Sequence, residues 1–195
     1  MSDILADLEY GDPEAVREAV LRVRDHLRAK EAAREDFDAA DREAIEYLKD
    51  LARKSPDPAV RSAAIASLAA LRSYDATEVC VEAAGDDSAA WVVRLEAARA
   101  LSQRPSVAAA EALARRLETE PQAEVRLAVI SALRAAGGDV ALRALLDAFL
   151  DRSPRFESAR LALYEAIREL SGNAHSFWDR EAWSRYRAER IPPKM

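Results

Sequence analysis

Apolar residues return along this chain at the three- and four-residue intervals of a buried helix face, and those intervals sit inside a longer repeat. The phrase Val60-Arg-Ser-Ala-Ala-Ile-Ala-Ser-Leu68 recurs as Val93-Arg-Leu-Glu-Ala-Ala-Arg-Ala-Leu101, Val125-Arg-Leu-Ala-Val-Ile-Ser-Ala-Leu133 and Ala159-Arg-Leu-Ala-Leu-Tyr-Glu-Ala-Ile167, a period of 32 to 34 residues. A weaker copy near the start, Asp12-Pro-Glu-Ala-Val-Arg-Glu-Ala-Val20, shares its Asp-Pro opening with Asp57-Pro-Ala-Val-Arg61. Val60, Ala64, Leu68 and Leu71 fall on one helical face, which predicts an A helix entered through a turn such as Ser55-Pro-Asp-Pro58. At a fixed offset beyond Leu68, Leu101 and Leu133 come Cys80, Val81 and Ala84, then Leu113, Ala114 and Leu117, then Leu145, Leu146 and Phe149, the expected buried faces of three B helices. Connectors such as Ser73-Tyr-Asp-Ala76 and Ala136-Gly-Gly-Asp139 are short, so A and B are expected to form antiparallel hairpins.

Two short helices cannot bury an apolar face alone, whereas stacked pairs share a continuous core. The pattern Asp-Pro-x-Val-Arg-x-Ala-Ala followed by a Leu-rich B helix resembles the HEAT repeat in its short bacterial form, related to the repeats of phycobilisome lyases. The resemblance covers residues 57–167 closely and the first unit weakly. It implies an all-α chain: a right-handed α-solenoid of about five HEAT-like helical hairpins running over residues 1–195. Within it, residues 1–56 would be an atypical N-terminal cap unit, 57–152 the regular repeats, and 153–195 the last repeat with a C-terminal aromatic cap. Residues 31–40 are expected to lengthen the first connection before a B helix carrying Ala44, Leu48 and Leu51. The stretch Leu170-Ser-Gly-Asn-Ala-His-Ser-Phe-Trp-Asp-Arg-Glu-Ala-Trp183-Ser-Arg-Tyr186 is similar to a tail found on many bacterial HEAT proteins. Trp183 occupies the slot of Ala84, Leu117 and Phe149, on a last helix capped by Asp179, so Trp178, Trp183 and Tyr186 are expected to seal the open end.

Composition narrows the chemistry. Half of the 195 residues are hydrophobic and a third charged, with few Gly and Pro, which excludes a disordered or collagenous chain. The acidic start and the lack of any apolar run approaching ~18 residues argue against a secretory signal or membrane span, so a cytoplasmic protein with no membrane partner is expected. The abundance of Ala, and of Arg over Lys, fits a GC-rich bacterial coding sequence. A net charge of −6 argues against nucleic acid, which needs a clustered positive field. One Cys and two His cannot form a disulfide and fall short of a structural metal set. Cys80 aligns with Leu113 and Leu145, as a small buried hydrophobe would, and His26 and His175 lie at opposite ends of the chain. With no phosphate loop, nucleophile elbow or metalloprotease helix, neither a cofactor, a metal nor a catalytic residue is expected.

Four sets of residues remain as candidates. Arg61, Arg94, Arg126 and Arg160 recur once per repeat beside the buried stripe; they are read as a structural arginine ladder that donates to a neighbouring unit, against a cationic row for an anionic ligand. On the B helices, Glu78 and Glu82, Glu111 and Arg115, and Arg143 and Asp147 should point away from the core. The resemblance places these on the concave surface, facing either a partner or solvent. Trp91, which has no counterpart in other repeats, is a binding anchor at the A-helix edge or a gap filler. The Arg-rich tail, with Arg180, Arg185, Arg187 and Arg190, is a further basic segment. The expectation is a monomeric, non-enzymatic interaction module or scaffold that binds a protein or peptide. A bilin lyase or DNA glycosylase on the same scaffold, and a toxin-neutralising immunity protein, are the alternatives.

Overall fold

Aspartate and proline set where several of the helices begin. The computed structural model describes residues 2–190; residue 1 and residues 191–195, the outer ends of the two expected caps, lie outside the described residues. The first helix, α1 (Ser2–Tyr10), was not anticipated from the sequence. It turns at Gly11, where a Cβ would lie 2.4 Å from the Asp7 carbonyl oxygen, so only glycine fits this close approach. Asp12 then caps α2 (Pro13–Ala33), accepting the N–H groups of Glu14 and Ala15, while Pro13 takes the first helical position, where no N–H is needed. Asp57 and Pro58 repeat this chemistry at α4, below.

The helix α2 runs through Glu31–Ala33, residues expected in the connection, because all three are good helix formers. It stops at Arg34, whose left-handed conformation (φ 58°) lets the Glu35 N–H reach back to the Lys30 carbonyl. Then follow α3 (Ala39–Lys54), α4 (Pro58–Ala69), α5 (Thr77–Gly85), α6 (Trp91–Ser102), α7 (Val107–Thr119), α8 (Ala123–Ala136) and α9 (Gly138–Leu150). A 3-10 turn over Pro154–Ala159 leads into α10 (Arg160–Ser171), and α11 (Arg180–Arg190) ends the described chain. Asp179 caps α11 through the Ala182 N–H at 2.9 Å. Gly137 and Gly138, both at positive φ, make the tight α8–α9 turn.

Among the described residues the helices from α2 to α11 follow one another in the A, B order that the register predicts, in an all-α repeat fold. The chain divides into two compact units, Met1–Ala100 and Leu101–Met195. In the first, α2 packs on α4 as one layer and α3 on α5 as the other, with α1 added onto α2. In the second, α8 and α10 form the A layer and α7, α9 and α11 the B layer. In both units a B helix packs closely on the A helix that follows it, as α3 does on α4 and α9 on α10. Val60, Ala64, Leu68 and Leu71 fill the first core, and Val125, Val129, Leu133, Leu145 and Phe149 the second. Cys80 is buried among them, in line with its place in the repeat. Among the described residues no helix is long and apolar enough to cross a membrane.

Candidate functional site

The last carbonyls of a helix lack intrahelical donors and carry partial negative charge, so a cation set against them is favoured. Arg61 and Arg160 of the arginine row meet that need directly, and Arg94 and Arg126 take carbonyls of the turn that follows the helix. Arg61 Nε donates to the Ala52 carbonyl in the last turn of α3 at 3.2 Å, and its Nη2 reaches the Asp86 carboxylate at 3.2 Å. Arg94 donates to the Ala89 carbonyl in the turn after α5. Arg126 Nη1 donates to the carbonyls of Glu120 and Pro121 at 2.9 and 2.8 Å, just past α7. Arg160 donates to those of Phe149 and Asp151 at the end of α9, at 3.2 and 3.1 Å. Arg94 and Arg126 are buried and Arg61 and Arg160 half-buried, so none of the four presents an open cationic head.

The outward positions of the B helices divide into paired and unpaired residues. Glu82 is held by Arg53 of α3 through a two-nitrogen contact at 2.7 and 3.1 Å, and Glu78 lies 3.8 Å from the same guanidinium. Asp147 is held likewise by Arg187 of α11, at 2.8 and 3.1 Å. Glu111, Arg115 and Arg143 have no ion pair or side-chain hydrogen bond among the described residues. Together with Asp147 they line a groove of about 440 Å³ between α7 and α9. Ala114, Val140 and Ala144 supply its apolar lining, and Glu118 and Asp139 stand at its ends. Ala114 was assigned to the buried face of its helix; it is instead half-buried and part of this groove. Val81 is also only half-buried, and Val79 takes the core position.

Trp91 starts α6 and is 43% exposed, and the groove does not include it. At the C-terminal end, Trp183 is fully buried, its indole N–H donating to the Ser176 carbonyl at 3.0 Å. Phe149, Tyr164 and Tyr186 meet it edge-on. Trp178 departs from its expected part in this seal. It is 84% exposed, because Phe177 turns inward onto Phe149 and Tyr164 and leaves the next residue of the turn facing out.

One cluster was missed from the sequence. Asp41, at the start of α3, is 1% exposed and accepts from His26 Nε2 at 2.8 Å, from Lys30 and from the Asp38 N–H at 2.9 Å. Asp38 returns the Asp41 N–H contact at 3.0 Å, closing a reciprocal cap, and also takes Lys30 at 2.8 Å. Burial alone would push the Asp41 carboxyl up, but Lys30, the Asp38 N–H and His26 outweigh it and hold it below the usual carboxylate range. The Lys30 hydrogen bond, with the Asp41 N–H, holds Asp38 down to about 2. The available signal was the Asp38-x-x-Asp41 spacing before a helical stretch, with His26 and Lys30 one turn apart. Nearby, Glu31 accepts the N–H groups of Arg72 and Ser73 and so fastens the α4–α5 turn to α2.

A family model of HEAT repeats matches residues 3–94, 45–134 and 88–168 of this chain. No curated protein matches it. Among solved structures, an engineered protein from a structural genomics consortium is similar in fold, with a TM-score of 0.56 at 18% identity over 96% of this chain and 93% of that one.

Proposed function

Because the chain belongs to the HEAT-repeat family, we propose that it is a non-enzymatic interaction module that holds a protein or peptide on its B-helix surface. HEAT repeats generally mediate protein–protein interaction or scaffolding, which supports the class of role. The observation that carries the reading is the α7–α9 groove, where an apolar strip of Ala114, Val140 and Ala144 lies beside three charged residues without internal partners. Charges that are only solvated on a helix face tend to pair along it at four-residue spacing. Glu111 and Arg115 have that spacing and do not pair, which leaves both for an incoming surface. The proposed setting is a bacterial cytoplasm, with the protein acting as a monomer.

The test is affinity capture with the wild-type chain and with a charge-reversed Arg115→Glu/Arg143→Glu chain as bait. A protein retained by the wild type and lost from the variant supports the assignment, provided the two melt alike. Exposed charges contribute only tenths to about 1 kcal/mol, so the variant is expected to stay folded. Capture that is the same with both baits, and lost on Trp91→Ala, would move the site to the start of α6.

A further inference from the structure

The charges along the α7–α9 groove are ordered, and the order specifies a ligand chemistry. On α7 they read Glu111, Arg115, Glu118; on α9 they read Asp139, Arg143, Asp147. Both walls carry acid, base, acid at spacings of three or four residues, about one helical turn. The two basic centres line the same groove, and neither has an internal carboxylate partner. Asp147, the repeat equivalent of Arg115, is turned to Arg187 of α11, so it does not neutralise Arg115 across the groove. Arg115 and Arg143 thus line one cleft with small apolar residues, neither held by a carboxylate, and Glu111, Glu118 and Asp139 line it about one helical turn from them along their own helices.

Resting on the interaction reading above, we propose that this groove takes a helical peptide segment of a partner protein with the pattern base, acid, base at one-turn spacing. A Glu side chain would sit between Arg115 and Arg143, where planar forks match a carboxylate. Lys or Arg one turn before and after it would meet Glu111 and Asp139 at one end and Glu118 at the other. Turn-spaced charges on the walls fit a helix better than an extended strand, whose same-face side chains are ~7 Å apart and whose register would drift from the walls. Ala114, Val140 and Ala144 are small, which leaves room for a helix backbone to approach.

The probe is a fluorescent, acetylated and amidated 15-residue Ala-based peptide containing Lys-x-x-x-Glu-x-x-x-Lys, titrated into the full chain and followed by anisotropy. It is expected to bind at least about tenfold more tightly than the same peptide with Gln for the central Glu, and than the swapped Glu-x-x-x-Lys-x-x-x-Glu peptide. Arg115→Gln/Arg143→Gln should remove the difference, and added salt should weaken the first peptide most. Equal binding of the three peptides, preference for the swapped one, or no binding of any would overturn the proposal. So would a gain in affinity from a free C-terminal carboxylate in place of the central Glu, which would assign the clamp to a chain terminus. Self-association abolished by the double Gln variant would assign the groove to a second copy of this chain and also overturn it. If the peptides fail while charge reversal still abolishes capture of a protein, the ligand chemistry falls and the interaction reading stands. If capture ignores the charge reversal, that reading falls.

Discussion

The first and last B helices are fixed by unlike chemistry. At α3 the fastening is polar: one buried carboxylate, Asp41, gathers an imidazole, an ammonium and a backbone N–H. At α11 it is aromatic: Trp183 lies in a nest of rings with a single hydrogen bond to a carbonyl. A ring cluster gains mainly from area removed from water and asks little of direction. A buried carboxylate is favourable only while its set of donors is complete, since an unpartnered charge in the interior is costly. The aromatic fastening should therefore bear the larger loss on truncation, and the polar one the larger response to solution conditions.

The largest expected effect is Trp183→Ala, which empties a fully buried site and should cost about 3–5 kcal/mol, read from the urea midpoint. A loss below about 1 kcal/mol would break the comparison, since it would mean the rings repack without their centre. Asp41→Asn keeps the shape and removes the charge on which Lys30 and His26 converge; a loss of about 1.5–3 kcal/mol is expected. Its backbone exchange should rise in α2 and α3 and not in α10 or α11.

Acid sharpens the contrast further. Asp38, Asp41 and Glu31 all have carboxyls held below their ordinary range in the folded chain. Such groups contribute stability that is present above their unfolded values near pH 4 and is lost as pH falls through the folded ones. For Asp38 that window extends down to about 2. Hydrogen exchange on lowering the pH from 5 to about 2.5 should thus open α2, α3 and the α4–α5 turn before the ring cluster of α9–α11. Simultaneous opening would show that these carboxylates do not govern the first unit. The smallest effect is Trp178→Ser, expected within about 0.5 kcal/mol of wild type because that ring is mostly in water. A larger loss would restore Trp178 to the seal.

The sequence carried the repeat because its two markers are local: the Asp-Pro cap, seen again at Asp12 and Asp57, and the apolar interval that put Trp183 in the slot of Phe149. The alignment of Arg61, Arg94, Arg126 and Arg160 was equally legible, though their acceptors were not, since a main-chain carbonyl leaves no mark in the side-chain pattern. The groove was legible as four of six outward positions. Which of those six are already paired depends on Arg53 and Arg187, more than twenty residues away along the chain from the carboxylates they hold. The exposure of Trp178 was unreadable for a related reason. Two adjacent aromatics compete for one interior, and the geometry of the 173–179 turn decides between Phe177 and Trp178.

The main-chain acceptors of the arginine row bear on how such a chain can grow and diverge. Their positions carry unrelated side chains, Ala52, Ala89, Glu120 and Phe149 among them, and in each case the arginine takes up the main-chain oxygen, with Arg61 adding the Asp86 carboxylate. A copied repeat inserted in register therefore brings its own arginine and finds a carbonyl already waiting, whatever residue precedes it. A side-chain substitution at one of these positions leaves the accepting oxygen in place, whereas Asp86, which holds Arg61, and the buried Glu120, ion-paired to Arg116, carry side-chain contacts of their own. A one-residue deletion in the short turn before an A helix, such as residues 55–57 or 120–122, would rotate the guanidinium off its oxygen and is expected to loosen the joint.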